Sequence, residues 1–152
     1  MVARLLLAVQ QSSLEANLID SSFLGRGWSF PVSFSKSGFA KMSEYEEDIT
    51  ESLRILLMTY PGERTMQPEF GCRIRDFCFE SFSLRTETLL CDEIRRAILL
   101  NEPRVSTEKI EIEQTEKKEV LRIHIAYRIC STNNRRNLVF PFYLNEATDT
   151  TL

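Results

Sequence analysis

The chain has one histidine, His124, and its four cysteines, Cys72, Cys78, Cys91 and Cys130, include no C-x-x-C pair. A zinc site draws on tightly spaced Cys and His pairs, so that class is excluded. A Cys-His or Ser-His nucleophilic system would have to use His124, which falls on the polar face of a predicted strand and needs no function there. There is no G-x-S-x-G elbow and no glycine loop to cradle a phosphate; Gly25-Arg26-Gly27 is too short for a nucleotide motif and reads as a turn. No run approaches the roughly 20 apolar residues that a membrane span needs. A basic excess is missing too. The net charge is −3 with both signs interspersed, which argues against nucleic acid and against an anionic membrane. The cysteines read as small, buried, reduced thiols of a reducing compartment.

What is present is ordinary for a soluble domain. The chain has 152 residues, 43% of them apolar and 27% charged, enough for a single domain with a sizeable core. The start, MVARLLLAVQQSS, carries one arginine before a run of only Leu5 to Val9. That is short for a signal peptide, and it reads as a mobile or partner-ordered arm. The expected organisation is an arm over 1–22, a domain over 23–145 and a tail over 146–152.

In FLGRGWSFPVSF, 23–34, a turn at Gly25 precedes a short edge strand or extended loop. Trp28 and Phe30 are expected to pack inward, and Pro31 interrupts the run. Ser43 to Met58 is the clearest helix. Ser43 and Glu46 have capping-box spacing, acids crowd the first turns, and Ile49, Leu53, Leu56 and Leu57 share a face. Pro61-Gly62 makes a turn, and 66–81 reads as loop with one helical turn. A second helix is expected from Thr86, as N-cap, to about Leu100, with Leu90, Ile94, Ala97 and Ile98 on one face. Pro103 stops it and pushes Glu102 toward an extended conformation.

Beyond NEPRV, 101–105, the apolar period changes from about 3.6 to 2. Ile110 and Ile112 alternate with glutamates. Leu121, Ile123, Ile125 and Tyr127 form a second set, and Leu138, Phe140, Phe142 and Leu144 a third. Three antiparallel strands follow, joined by a turn near 116–118 and by the loop STNNRRN. Pro141 has no N–H for a ladder bond, so the third strand is an edge. The expected fold class is α+β: two main helices on a three-stranded antiparallel sheet with an exposed edge, plus an N-terminal extension. An open edge invites another chain to pair with it.

Glu63, Glu69, Glu80 and Glu102 qualify as glycosidase carboxylates by type alone, since no spacing specifies such a pair. Arg64 and Arg104 each lie beside a proline turn with a glutamate within two positions. An arginine fork can brace helix-end carbonyls or clamp a carboxylate, so internal brace and partner contact both stay open.

The segments FLGRGWSFP at 23–31, ILLMTYPGERTMQPEFGC at 55–72, the helix into NEPRV at 101–105, and NLVFPFYL at 137–144 occur together and in order. With them the chain resembles the baseplate-wedge, sheath-initiator proteins of contractile phage tails and type VI secretion systems, described in older usage as lysozyme-like. The resemblance covers roughly 23–144. It implies a structural subunit, not an enzyme, with no cofactor and no catalytic or metal residue. It implies that Glu102, Pro103 and Arg104 dock on a helical bundle of other wedge proteins. It further implies that the first sheath ring adds strands at Leu138, Val139, Phe140, Phe142, Tyr143 and Leu144. Gly25, Trp28, Pro31, Pro61, Gly62, Glu63, Arg64, Pro68, Phe70 and Gly71 carry over as its structural motif. The implied partners are wedge proteins and sheath, with the inner tube or spike as a further neighbour, and neither nucleic acid nor membrane insertion. The implied location is cytoplasmic, within a baseplate that can leave the cell with its particle. On this reading Arg104→Ala leaves the isolated domain folded. The alternatives are a cell-wall muramidase and a regulatory module like the anti-adaptor that protects a sigma factor and shares this fold.

Overall fold

The computed structural model of the chain describes residues 24–36, 38–115 and 120–144. The arm over 1–22, the turn near 116–118 and the tail over 146–152 lie outside the described residues. The chain forms two compact units, one up to Ile49 and one from Thr50 onward.

In the first unit, β1 (Arg26–Trp28) pairs antiparallel with β2 (Met42–Glu44), and an Arg26–Glu44 ion pair of 3.0 Å joins them. Gly25 enters this ribbon at φ 104°, a conformation that glycine adopts without strain. Two sequence expectations are corrected here. Trp28 is 65% exposed rather than packed inward. A ribbon alternates its side chains, and this one turns Ser43 inward and leaves Arg26 and Trp28 on the other face. Phe30 is only half-buried. Ser43 is also no helix cap, because it belongs to β2. Tyr45, at φ 59°, turns the chain out of the strand, and α1 (Glu46–Met58) begins one residue later. The acids of its first turn, Glu46, Glu47 and Asp48, still suit the positive end of the helix dipole.

The second unit holds most of α1, a 3-10 helix (Arg73–Phe77), α2 (Leu84–Asn101) and the strands β3 (Val105–Gln114), β4 (Val120–Ile129) and β5 (Arg135–Tyr143). The strands form an antiparallel sheet in the order β3-β4-β5. This is the expected α+β fold. α2 starts earlier than expected. Ser83 is its N-cap and accepts a bond from the Thr86 N–H at 3.3 Å, so Thr86 is the donor and not the cap. The core joins Leu53, Leu56 and Leu57 of α1 and Leu90, Ile94, Ala97 and Ile98 of α2 to the buried face of the sheet. That face carries Leu121, Ile123, Ile125, Tyr127 and Ile129 of β4 and Leu138, Phe140 and Phe142 of β5. The Tyr127 hydroxyl does not go unsatisfied there, since it bonds Thr50 Oγ1 at 3.0 Å. The cysteines are free, but only Cys72 is fully buried, and Cys130 is exposed in the turn after β4. Burial pushes the Cys72 thiol up to about 12.

Candidate functional site

The helix stop at Pro103 builds a charged corner. Glu102 ends α2 as its C-cap, with its N–H donated to Ile98 O at 2.8 Å. Its backbone (φ −130°, ψ 77°) is extended in the way a residue before proline requires. β3 begins three residues later, so helix end and strand start are held together. Arg104 O accepts from Cys130 N at 2.9 Å, which ties the corner to the far end of β4.

The Glu102 side chain is 5% exposed. A buried carboxylate is costly unless its oxygens are satisfied. Here Arg104 supplies a two-pronged clamp, Nε to Oε1 at 2.6 Å and Nη2 to Oε2 at 2.7 Å. Ser52 Oγ on α1 donates to Oε2 at 2.6 Å. Burial alone would raise this carboxyl. The bonds from Arg104 and Ser52, together with the guanidinium charge, outweigh burial and hold it below its ordinary value of 4.5. Arg104 itself is 32% exposed and Pro103 is exposed. The arginine is therefore an internal brace that still presents one side to solvent.

A lowered carboxyl makes stability depend on acid in a fixed direction. The contribution is complete above the unfolded value and is lost as pH falls through the folded one. The melting midpoint of the protein should therefore hold from neutrality down to about pH 5 and fall in more acid solution. The difference in midpoint from Glu102→Gln should shrink over that same acid range. A constant difference would mean that Glu102 does not titrate this way.

The edge of β5 is the second candidate surface. Among the described residues β5 pairs with β4 alone, in a register that sets Val139 opposite His124 and Pro141 opposite Arg122. Leu138, Phe140, Phe142 and Leu144 face the core and are buried, so their side chains are not exposed contacts. Val139, Pro141 and Tyr143 lie on the outer face, with Val139 45% exposed.

The Pro61 to Gly71 loop folds on itself. Gly62 N donates to Pro68 O at 2.8 Å, and Cys72 N to Thr59 O at 2.9 Å. Glu63 and Arg64 do not pair with each other. Glu63 caps the Tyr60 N–H at 3.0 Å and binds Arg75 at 2.6 Å, while Arg64 stacks 3.8 Å over the Phe70 ring. Pro61, Pro68, Glu69 and Gly71 line a groove of about 460 Å³ against Glu93, Arg96 and Leu100 of α2.

Among the glycosidase candidates, neither Glu63 nor Glu102 has the raised carboxyl of a general acid. The backbone N–H of Tyr60, aided by Arg75, draws the Glu63 carboxyl down, against its slight desolvation. A general acid needs the opposite shift, and Glu102 is also lowered. Glu69 lies in the groove and Glu80 is exposed. His124 is half-buried on the outer sheet face, 3.5 Å from Glu113. Among the described residues no group of three or more His, Cys, Asp or Glu could hold a metal ion, and no helix is long and apolar enough to cross a membrane. Ser52 is a contributor that the sequence reading missed. Ser52 follows α1's apolar Ile49 by three positions, and nothing local marks it as a partner of Glu102.

A family model described as "Baseplate wedge protein gp25" matches residues 43–134. Among solved structures, a Geobacter sulfurreducens protein named as a candidate tail lysozyme is 45% identical, with 70% of this chain and 96% of that one covered and a TM-score of 0.64. A chain of the anti-feeding prophage baseplate is 26% identical, with 84% of this chain and 92% of that one covered and a TM-score of 0.63. No curated protein sequence matches the chain. The family match spans both helices, β3 and β4, including the Glu102–Arg104 corner, and the chain belongs to the gp25 family of baseplate wedge proteins.

Proposed function

We propose that this chain is a non-catalytic wedge subunit that docks on helices of neighbouring baseplate proteins through Pro103 and Arg104 and starts the sheath at the free edge of β5. The carrying observation is the geometry of the corner. Buried Glu102 fixes the Arg104 fork from within, while Pro103 and one side of Arg104 face outward. An arginine oriented beforehand loses little side-chain freedom on binding, and its planar donors suit helix-end carbonyls or a carboxylate. The protein would then work inside an injection particle assembled in the cytoplasm, between wedge and first sheath ring, with the tube or spike as a further neighbour.

The test must separate docking from bracing. Replacing a buried ion pair by apolar residues of similar volume is often neutral for stability, whereas removing one partner is not. The triple variant Ser52→Ala/Glu102→Met/Arg104→Met should therefore melt closer to the wild type than Arg104→Ala alone. In particle-producing cells it should nevertheless be missing from purified baseplates, as read by mass spectrometry. Normal incorporation of this folded variant would refute the docking role and leave the corner as a brace.

A further inference from the structure

The loop over 61–71 leaves a trough against α2. Two cavities of about 460 and 470 Å³ share Pro68, Glu69, Leu100 and Asn101, so they form one continuous depression. Its charges are not spent inside the fold. Glu69 and Arg73 line one wall, Glu93 and Arg96 of α2 the other, and none of these four side chains makes a hydrogen bond or ion pair among the described residues. Charges close by in the chain do pair, Arg75 with Glu63 and Arg95 with Asp92. Glu93 and Arg96 are three positions apart on one helix, a spacing at which such a pair ordinarily meets, and still stay apart. Glu93 is half-buried, where a carboxylate without a partner is costly. Leu100 belongs to both cavities and is 69% exposed, an apolar side chain that the core does not use.

We infer that this trough is a second docking surface, and that its occupant is a mixed-charge segment of a neighbouring wedge protein, basic beside Glu69, apolar over Leu100 and acidic beside Arg73 and Arg96. This rests on the wedge-subunit reading above, though not on the Arg104 fork. The signs are unevenly placed along the trough. Glu69 is the one charged side chain in the cavity that it lines with Gln67 and Phe70. In the other cavity two cations, Arg73 and Arg96, stand with one further anion, Glu93. Arg64 stacks on the Phe70 ring and lines neither cavity. Such an arrangement selects both the partner and its direction, because a segment laid in backwards meets like charge. The trough also continues into the corner described above. Asn101 lines both cavities and directly precedes Glu102 and the exposed Pro103. A small molecule is a poorer occupant. Ligand pockets are lined mainly by apolar and aromatic side chains, whereas this trough carries four charges and the single ring of Phe70.

The test is a competition in particle-producing cells that express wild type and one variant together. Mass spectrometry compares the variant's share in purified baseplates with its share in the lysate. Arg96→Glu and Glu69→Lys should each fall about fivefold in share, since each sets like charge against the occupant. Both should melt within about 2 °C of wild type, because neither side chain has a partner to lose among the described residues. Arg95→Glu, one position off the trough, should keep its share. An unchanged share for Arg96→Glu or Glu69→Lys, or equal depletion by Arg95→Glu, would overturn the trough as a docking surface. Enrichment of Glu69→Lys would overturn the mixed charge, since a purely acidic occupant gains from that lysine. Should Arg96→Glu melt early, Glu69→Lys, in its exposed loop, decides alone. Wild type missing from baseplates would instead refute the wedge role itself. A photo-crosslinking phenylalanine analogue in place of Leu100 then reads the occupant. A link to another baseplate protein is the expected result. A link within this chain or to a second copy of it, or no link at all, would overturn the assignment.

Discussion

Arg104→Ala is expected to destabilise the purified protein by about 2–4 kcal/mol, the cost of breaking a buried pair reduced for the partial exposure of the arginine. For a chain of this size that lowers the melting midpoint by about 5–15 °C. The variant leaves the Glu102 carboxylate buried with Ser52 as its one remaining side-chain donor among the bonds described above. A loss of this size is smaller than the stability of an ordinary domain, so the isolated variant is still expected to stay folded while melting early. Loss of Arg104 from a baseplate could therefore follow from instability alone, which is why the charge-free triple variant is the cleaner probe of docking. Arg104→Lys should fall between wild type and alanine, because an ammonium keeps the charge and loses the two-pronged geometry. A midpoint for Arg104→Ala within about 2 °C of wild type, which corresponds to under about 1 kcal/mol, would show that Glu102 is not held as described.

Gly71→Ala is expected to cost about 3 kcal/mol or more and to deplete the folded protein. Gly71 sits at φ 130°, where a side chain is strained whatever the space. A Cβ there would also lie 2.5 Å from Thr59 O, 3.0 Å from Pro61 N and 3.0 Å from Tyr60 C. All three are backbone atoms, so no rotamer change relieves the clash. The Thr59 carbonyl is the one that accepts from Cys72 N, and pushing it aside also breaks the bond that closes the loop. Gly62 provides the internal comparison. Its φ is 97°, yet a Cβ there meets nothing within 4 Å. Gly62→Ala should cost only the conformational strain, about 1–2 kcal/mol. Urea unfolding of the two variants checks this, and equal losses would show that the close approach at Gly71 is not a constraint.

Particular residues show how far the sequence could be read. The three strands were legible because large apolar residues recur at every second position through Ile110–Ile112, Leu121–Tyr127 and Leu138–Leu144, and a half-buried sheet tolerates no slip of one residue. Pro141 identified the edge by chemistry alone. The helix faces were legible from spacing, but both N-termini were misplaced. Ser43 and Thr86 have good cap chemistry, and so do many serines and threonines. Which one caps depends on where the backbone enters the helix: Tyr45 turns in at positive φ and Ser83 lies before the expected start. Trp28 was read as buried because it is large and apolar, whereas the ribbon's parity turned it out.

By itself the sequence determined the α+β class, the two apolar helix faces, the edge character of β5 and the stop at Pro103. Each of these follows from local periodicity or from the missing N–H of proline. Only the tertiary structure decided that Arg104 clamps Glu102 together with Ser52, fifty residues distant in the chain, and that the Phe79 N–H donates to the Leu144 carbonyl just past β5. Those contacts join segments far apart in sequence, and nothing in the composition of either segment announces its partner. Burial then converts them from ordinary surface chemistry into constraints, because a carboxylate or carbonyl removed from water must find its donors within the fold.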